Sequence, residues 1–250
     1  MLDLSRARSG FVGSRVAKYL VENGAEVTSV SKSGAPPKDA VNEPWAKSVN
    51  WVANDFTRGP LEGLDAAIGD PEVFVSCVGT IGFDRQGLAV GNGKANADCA
   101  KVLQKKGVQR IAYVSVSQEL FDSSGWLPAF FTGYFEGKRQ AEAALKEVAP
   151  TTIVRPTFIY GGDSFAIAPP RVTGEYGAFI EGLLSAAPFT TLANLLPGLL
   201  KVALRPPVSV DAVAAACARA AMGMVEAEEL DGTVAINAAA DLPKPVEDVA

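Results

Sequence analysis

The sequence of 250 residues contains no histidine. This absence excludes a Ser-His-Asp triad, a histidine general base and the commonest sets of zinc ligands. The 3 cysteines, Cys77, Cys99 and Cys217, are far apart and have apolar surroundings. We therefore interpret them as buried thiols in a reducing compartment, and we predict no metal site.

Positive charge is also scarce. The chain has 23 lysines and arginines against 28 aspartates and glutamates, which gives a net charge of −5 and a sequence pI near 5.0. No basic stripe is available to neutralise phosphates, so nucleic acid is not expected as a partner.

Long uninterrupted apolar runs are missing. The most apolar region, residues 179–204, is broken by Pro188 and Pro197 and contains Glu181 and Lys201. We therefore predict no transmembrane span. Residues 1–6 resemble neither a signal peptide nor a transit peptide, so no targeting segment is visible in this sequence.

What the chain does contain is a regular alternation of short β-branched runs and helical patterns. Strands are predicted at residues 26–30, 49–53, 73–78, 111–114 and 151–154. Helices are predicted at 61–68, 95–106 and 133–145, and a further one follows residues 10–14 and is stopped by Asn23 and Gly24. This order predicts βαβ units and a Rossmann-like, doubly wound parallel sheet of the α/β class. We divide the chain into a nucleotide-binding domain, residues 1–160, and a smaller C-terminal segment, residues 161–250, packed on it as one compact unit.

The helix at 133–145 carries the most informative pair of side chains. Tyr134 and Lys138 are four residues apart, so they lie on one helix face. A nearby ammonium is expected to lower the pKa of the phenol, which then exchanges a proton with the oxygen of a carbonyl group whose carbon accepts hydride. Ser117, with Ser115 as second choice, follows the preceding strand and is expected to hold the same oxygen.

Ligands of such sheets bind beyond the carboxyl ends of the strands, so the first loop is a candidate phosphate site. Gly10 and Gly13, which flank Phe11 and Val12, fit the last two positions of a Gly-x-x-Gly-x-x-Gly loop, whereas Ala7 occupies the first. The strand before it, residues 1–5, is short and only partly apolar. Two explanations stay open. The loop sequence has diverged and binds a cofactor less tightly, or the N-terminus as given is not the natural one.

The loop after the second strand bears on the choice of cofactor. Ser31 and Lys32 stand where an acidic residue would indicate NAD, and a hydroxyl with an ammonium suits a 2′-phosphate. We therefore predict NADP, with Lys32 as a solvated turn residue being the alternative. Asp55 and Phe56 follow the third strand and are predicted to meet the adenine ring.

Taken together, these motifs resemble a known family. The matching segments are residues 9–14, 27–31, 113–115, 133–139 and 154–161. They resemble the atypical and extended short-chain dehydrogenase/reductases, within them most closely the NAD(P)-binding proteins of plant and algal plastids related to the nucleotide-binding accessory subunit of respiratory complex I. The likeness runs from about Ser9 to Ala220.

The resemblance implies roles for individual residues. Tyr134 and Lys138 match the active-site pair, with Lys138 also bonding the nicotinamide ribose, and Ser117 falls where the family has its serine or threonine. Gly79 matches a small residue that lies along the cofactor. The resemblance implies NADP or NAD as this cofactor, and whether it is bound depends on the loop that carries Ala7. Arg155 matches an Arg-Pro turn that is either structural or cofactor-facing. A chloroplast location is implied before a mitochondrial one.

The segment 162–206 occupies the place of a substrate-binding subdomain in extended members. Its large apolar residues recur at helical spacing, namely Leu183, Leu184, Phe189, Leu192, Leu195, Leu196, Leu199 and Leu200. Core packing or a subunit contact is the simpler interpretation. A pocket for a long apolar substrate, such as a quinone or isoprenoid, or a surface that docks on a larger assembly, is the alternative.

Two functional hypotheses follow. The first is an NADP-dependent oxidoreductase in which Tyr134 supplies the proton, Lys138 tunes it and Ser117 polarises a carbonyl. The second is a non-catalytic, nucleotide-binding accessory subunit of a respiratory or photosynthetic membrane complex. The Tyr134/Lys138 pair favours the first hypothesis, and the loop around Ala7 with the apolar C-terminal segment favours the second.

Overall fold

The computed structural model describes residues 10–58, 61–161, 166–167, 170–171, 173–196 and 198–241. The predicted first strand and Ala7 lie outside these residues. The helices are α1 Gly13–Glu22, α2 Pro44–Lys47, α3 Leu61–Ile68, α4 Arg85–Ala89, α5 Ala95–Leu103, α6 Gln118–Asp122, α7 Thr132–Lys146, α8 Gly174–Ser185, α9 Ala187–Leu195, α10 Gly198–Ala203, α11 Val210–Ala221 and α12 Gly232–Ala240. The strands are β1 Val27–Ser31, β2 Val49–Ala53, β3 Val73–Ser76, β4 Arg110–Val114, β5 Thr151–Arg155, β6 Ile159–Tyr160, β7 Ala166–Ile167, β8 Pro170–Arg171, β9 Val208–Ser209 and β10 Glu229–Asp231.

The main sheet is parallel, in the order β10-β5-β4-β3. Strands β1 and β2 form a second parallel pair. Each crossover between the parallel strands carries at least one helix, as parallel pairing requires. The predicted α/β, Rossmann-like architecture is confirmed.

Strand β4 is the centre of the sheet and is buried on both faces. Ile111 and Tyr113 point toward α3, α5 and α7, while Ala112 and Val114 point toward α1 and α11. Helix α11 is mostly alanine, and small side chains let it lie close against the strands. This packing fixes the carboxyl end of β4, where the candidate catalytic residues begin.

A polar cluster lies between the sheet and α7, and we call it the Arg155 network. The guanidinium of Arg155, which is 4% exposed, donates to both carboxylate oxygens of Glu142 at 2.7 and 2.8 Å. Its Nε also donates to Glu229 of β10 at 3.3 Å, and Ser115 donates its hydroxyl to Glu142. The network therefore connects β4, β5, β10 and α7.

The C-terminal half returns to the sheet after an excursion. Helices α8, α9 and α10 follow β8, and then β9 pairs with β6 and β10 pairs with β5. The segment 161–250 thus contributes a strand to the main sheet, while the division of the chain at residue 160 stays a prediction. None of the helices in the described ranges is both long and apolar enough to cross a bilayer.

Candidate functional site

The candidate site centres on the face of α7 that carries Tyr134 and Lys138. The Nζ of Lys138 donates a hydrogen bond of 2.9 Å to the carbonyl of Val114, the last residue of β4. It lies 4.9 Å from the ring centroid of Tyr113 and 5.9 Å from that of Tyr134. The buried ammonium therefore sits among two phenol rings and a strand end.

Burial dominates the proton affinities of this pair. It lowers the pKa of Lys138 to about 8, a trend that the nearby Cys77 and Glu142 oppose. Burial also raises the pKa of the Tyr134 phenol to about 12. Our expectation that Lys138 would lower this pKa was wrong, because loss of water around the phenol outweighs a cation at this separation. Tyr134 is consequently a protonated phenol at neutral pH.

The loop after β3 lies directly against the ammonium. A Cβ placed on Gly79 would be 3.2 Å from the Nζ of Lys138 and 2.9 Å from the Oδ1 of Asn92. Only glycine fits here without a shift. The predicted place of Gly79 along the cofactor stays a prediction.

Asn92 is a residue of this site that sequence reasoning missed. It lies in a single π-helical turn, Val90–Lys94, and is fully buried. Its side chain accepts from the N–H of Thr80 at 3.2 Å and donates to the carbonyls of Thr80 and Leu88, each at 2.9 Å. The flanking Gly91 and Gly93 were the available signal, because they permit close approach of the turn to its neighbours.

The two candidate serines have different surroundings. Ser117 is 2% exposed, and its hydroxyl has no hydrogen-bond partner among the residues that the structure describes. The hydroxyl of Ser115, the second choice, is engaged by Glu142. Ser117 is therefore the serine whose hydroxyl is available to a ligand. Arg155, by contrast, is held by two carboxylates in the Arg155 network.

The predicted phosphate loop leads into α1 at the same edge of the sheet. The N–H of Ser14 donates to the carbonyl of Gly10 at 2.9 Å, and a Cβ on Gly10 would meet no atom within 4 Å. A Cβ on Gly13 would lie 3.8 Å from Cys77, just beyond β3. The guanidinium carbon of Arg15 lies 4.9 Å from the ring centroid of Phe11, and Val12 packs against the core. Among the residues that the structure describes, none fills the space beside Gly10 at the start of α1.

The ends of β1 and β2 meet through a pair of opposite charges. The Nζ of Lys32 lies 3.3 Å from Oδ2 of Asp55, and both side chains are about one-third exposed. Oδ1 of Asp55 accepts hydrogen bonds from the N–H and the hydroxyl of Thr57. Burial alone would raise the pKa of Asp55, but the bonds from Thr57 and the contact with Lys32 together lower it. Ser31 accepts from the N–H of Gly34, and Phe56 packs against the core.

Among the described residues, no group of three histidine, cysteine or acidic side chains is arranged to hold a metal ion. The geometry instead presents a glycine loop before α1, a pair of opposite charges after β1 and β2, and a Tyr/Lys pair beside the end of β4. A family model described as NAD(P)H-binding matches residues 9–176. The chain belongs to the NAD(P)H-binding family.

Two relatives in other organisms have organellar names. A chloroplastic protein of Arabidopsis thaliana, itself uncharacterized, is 35% identical over 214 residues, which are 83% of this chain and 67% of that protein. The mitochondrial protein fmp52 of Aspergillus clavatus is 28% identical over 167 residues, 56% of this chain and 71% of that protein.

A solved structure supports the fold of this NAD(P)H-binding chain. The Bordetella bronchiseptica enzyme WbmG in complex with NAD superimposes with a TM-score of 0.58 and 15% identity, over 91% of this chain and 70% of WbmG. Because the identity is low, this likeness concerns the architecture alone.

Proposed function

We propose that the protein is an NADP(H)-dependent oxidoreductase that transfers hydride between nicotinamide and a carbonyl or alcohol. The observation that carries the proposal is the environment of Lys138. This ammonium is 5% exposed, has no ion-pair partner in the described part of the chain, and donates a hydrogen bond only to Val114 there. A buried lysine is costly unless its remaining donors are used, and ribose hydroxyls are suitable acceptors.

The residues present fit a nicotinamide nucleotide. Gly79 leaves space beside Lys138, the start of α1 at Gly13 is open for a pyrophosphate, and Ser117 has a free buried hydroxyl. Lys32 and Ser31 stand at the carboxyl end of β1, where they would meet a 2′-phosphate. Asp55 and Phe56 are proposed to lie beside the adenine, and Arg155 is proposed to shape the site through its ion pairs.

NADPH, held by Lys138 and the Gly10–Gly13 loop, would supply the hydride for the carbonyl carbon of the substrate, whose oxygen then needs a proton. Tyr134 donates its phenolic proton to that oxygen, which completes the alcohol, and regains a proton from solvent. Ser117 donates a hydrogen bond to the same oxygen and holds it in place. Lys138 would hold the ribose through the donors that Val114 leaves unused.

The first test is a titration of the purified chain with NADPH and NADH, followed by nicotinamide fluorescence. We expect saturable binding with NADPH preferred, because the Lys32 ammonium forms a charge-assisted bond to the 2′-phosphate. Lys32→Ala should weaken NADPH binding about tenfold or more and change NADH binding little.

The matched control for this titration is Lys18→Ala. Lys18 is also ion-paired and surface-exposed, but it lies on α1, where its partner is Glu22 one turn further along the helix. Lys18→Ala should leave both nucleotide affinities unchanged. Equal binding of the two nucleotides, or an equal loss for both in Lys32→Ala, would contradict the assignment of NADP. No binding of either nucleotide would contradict the oxidoreductase proposal itself.

The names of the two relatives support an organellar location, and the higher identity to the Arabidopsis protein favours the chloroplast over the mitochondrion.

A second candidate function rests on the apolar surface of α8, α9 and α10. The side chains exposed there by 40% to 77% are Tyr176, Phe179, Leu183, Leu192, Leu195 and Leu200. Such a surface favours attachment to a larger assembly, as expected of an accessory subunit of a respiratory or photosynthetic membrane complex.

Native electrophoresis of membranes from the source cells distinguishes this second candidate. An accessory subunit should co-migrate with a large complex, and Leu195→Ser combined with Leu200→Ser should release it. A chain found only as a small species in the native gel would count against the accessory role.

A further inference from the structure

Next to Tyr134 lies a row of aromatic side chains, Phe83, Phe130 and Phe131, which we call the aromatic entrance. The rings of Phe83 and Phe130 are 5.6 Å apart and packed edge to face, and those of Phe130 and Phe131 are 4.5 Å apart. Phe131 and Tyr134 pack against the same small core cluster of Val116, Phe121 and Phe135. The row thus leads from the surface to the proposed proton donor.

The outer end of this row is open to solvent. Phe83 is 78% exposed, although it belongs to the loop that begins at Gly79 beside Lys138. A single exposed phenylalanine is ordinary, but Phe83 packed edge to face against Phe130 offers a flat apolar ligand the faces of two rings.

The two segments that carry the entrance are held firmly together. A Cβ on Gly133, at the start of α7, would lie 2.1 Å from the carbonyl oxygen of Arg85, so the two backbones touch. Arg85 donates to Glu136 at 3.1 and 3.2 Å across the same junction. Phe83 and Phe130 therefore keep their mutual geometry in the absence of a ligand, which lowers the cost of binding.

The entrance also lacks charge. Residues 73–83 and 123–135, the stretches that lead to Gly79, Phe83 and Tyr134, contain no lysine, arginine, aspartate or glutamate. The nearest ions along the chain are engaged, since Asp84 accepts from two N–H groups of α4 and Arg85 binds Glu136. A carboxylate or phosphate beside Phe83 or Phe130 would therefore lose water without gaining a counter-ion from these two stretches.

We infer that the substrate is an uncharged carbonyl compound with a flat apolar ring or conjugated chain, which stacks on Phe83 and Phe130 with its carbonyl toward Tyr134. This inference rests on the proposed oxidoreductase function and names its substrate class. It also assigns the contact between protein and apolar substrate to the aromatic entrance. The exposed leucines of α8, α9 and α10, which are Leu183, Leu192, Leu195 and Leu200, take no part in it.

The test uses two aldehydes of similar size, 4-isopropylbenzaldehyde and 4-carboxybenzaldehyde, titrated calorimetrically into the full chain saturated with NADP⁺. With the oxidised nucleotide no reduction takes place, so binding is measured without turnover. We expect saturable binding of the isopropyl compound at least tenfold tighter than that of the carboxylate. Phe83→Ala and Phe130→Ala should each weaken it about tenfold, since each removes one stacking face.

Phe179→Ala serves as the matched control, because Phe179 is 65% exposed on α8, outside the entrance. It should bind the isopropyl compound as the unchanged chain does. Absence of saturable binding, equal affinity for the two aldehydes, or equal effects of Phe83→Ala and Phe179→Ala would each overturn the inference. A nucleotide titration on the same samples reports separately on the proposed function, because none of these phenylalanines is expected to change nucleotide affinity.

Discussion

Replacing Tyr134 by phenylalanine is expected to abolish aldehyde reduction while leaving NADPH affinity nearly unchanged. The substitution removes only the hydroxyl that donates the proton, and the ring keeps its edge-to-face contact with Phe135 at 5.2 Å. A positioned general acid typically contributes about 10²–10⁴-fold to the rate, so the loss should fall in this range. The measurement is the initial rate of NADPH oxidation with 4-isopropylbenzaldehyde, alongside the fluorescence titration.

Tyr176→Phe is the control for this experiment, because it also removes a phenolic oxygen. Tyr176 is an exposed tyrosine of α8, distant in sequence from Tyr134. The rate of Tyr176→Phe should match that of the unchanged protein. Undiminished turnover in Tyr134→Phe would rule out its role as proton donor. A parallel loss of NADPH affinity would instead show that Tyr134 acts in binding.

Burial raises the pKa of Tyr134 to about 12, so the phenol holds its proton throughout the neutral range. In the proposed reaction this protonated phenol can donate to the oxygen of a carbonyl substrate.

Removing the positive charge of Arg155 is expected to destabilise the fold more than any exposed substitution. Arg155→Met leaves the mostly buried carboxylate of Glu142 without its bidentate partner and removes one of the two cations that contact Glu229, which keeps Lys146. Breaking a buried ion pair from one side typically costs about 3–5 kcal/mol of the free energy of unfolding. Urea denaturation followed by circular dichroism measures the change.

The matched control is Arg85→Met, since Arg85 makes a similar two-oxygen contact with Glu136 while both side chains are about 60% exposed. Exposed pairs contribute about 0–1 kcal/mol, so this loss should be small. The double variant Arg155→Met/Glu142→Met should recover part of the stability, because neither buried charge then remains. Equal losses in Arg155→Met and Arg85→Met would contradict a stabilising role for the Arg155 network.

The fold was largely predictable because its signals are local. The apolar run that became β4 and the amphipathic pattern that became α7 are each visible within fifteen residues, and helix α3 begins and ends where the pattern placed it. Strand β10 was missed because it has 3 residues, two of them acidic and exposed, and exists only by pairing with β5.

The site was predictable in its residue types and less so in its environment. The spacing of Tyr134 and Lys138 places them on one helix face whatever surrounds them. The pKa of Tyr134, by contrast, depends on how much water its phenol keeps, which no spacing reveals. The role of Asn92 depends on a π-helical turn that close packing against Thr80 and Gly137 requires.

Lys138 has a consequence for the energetics of the whole chain. A pKa of about 8 in place of 10.5 means that holding this charge in the folded state below pH 8 costs about 3 kcal/mol, a cost relieved as the pH rises from 8 to 10.5. A methionine would fill the same volume with no such penalty. The buried charge of this one side chain thus keeps the fold below the stability that it could attain.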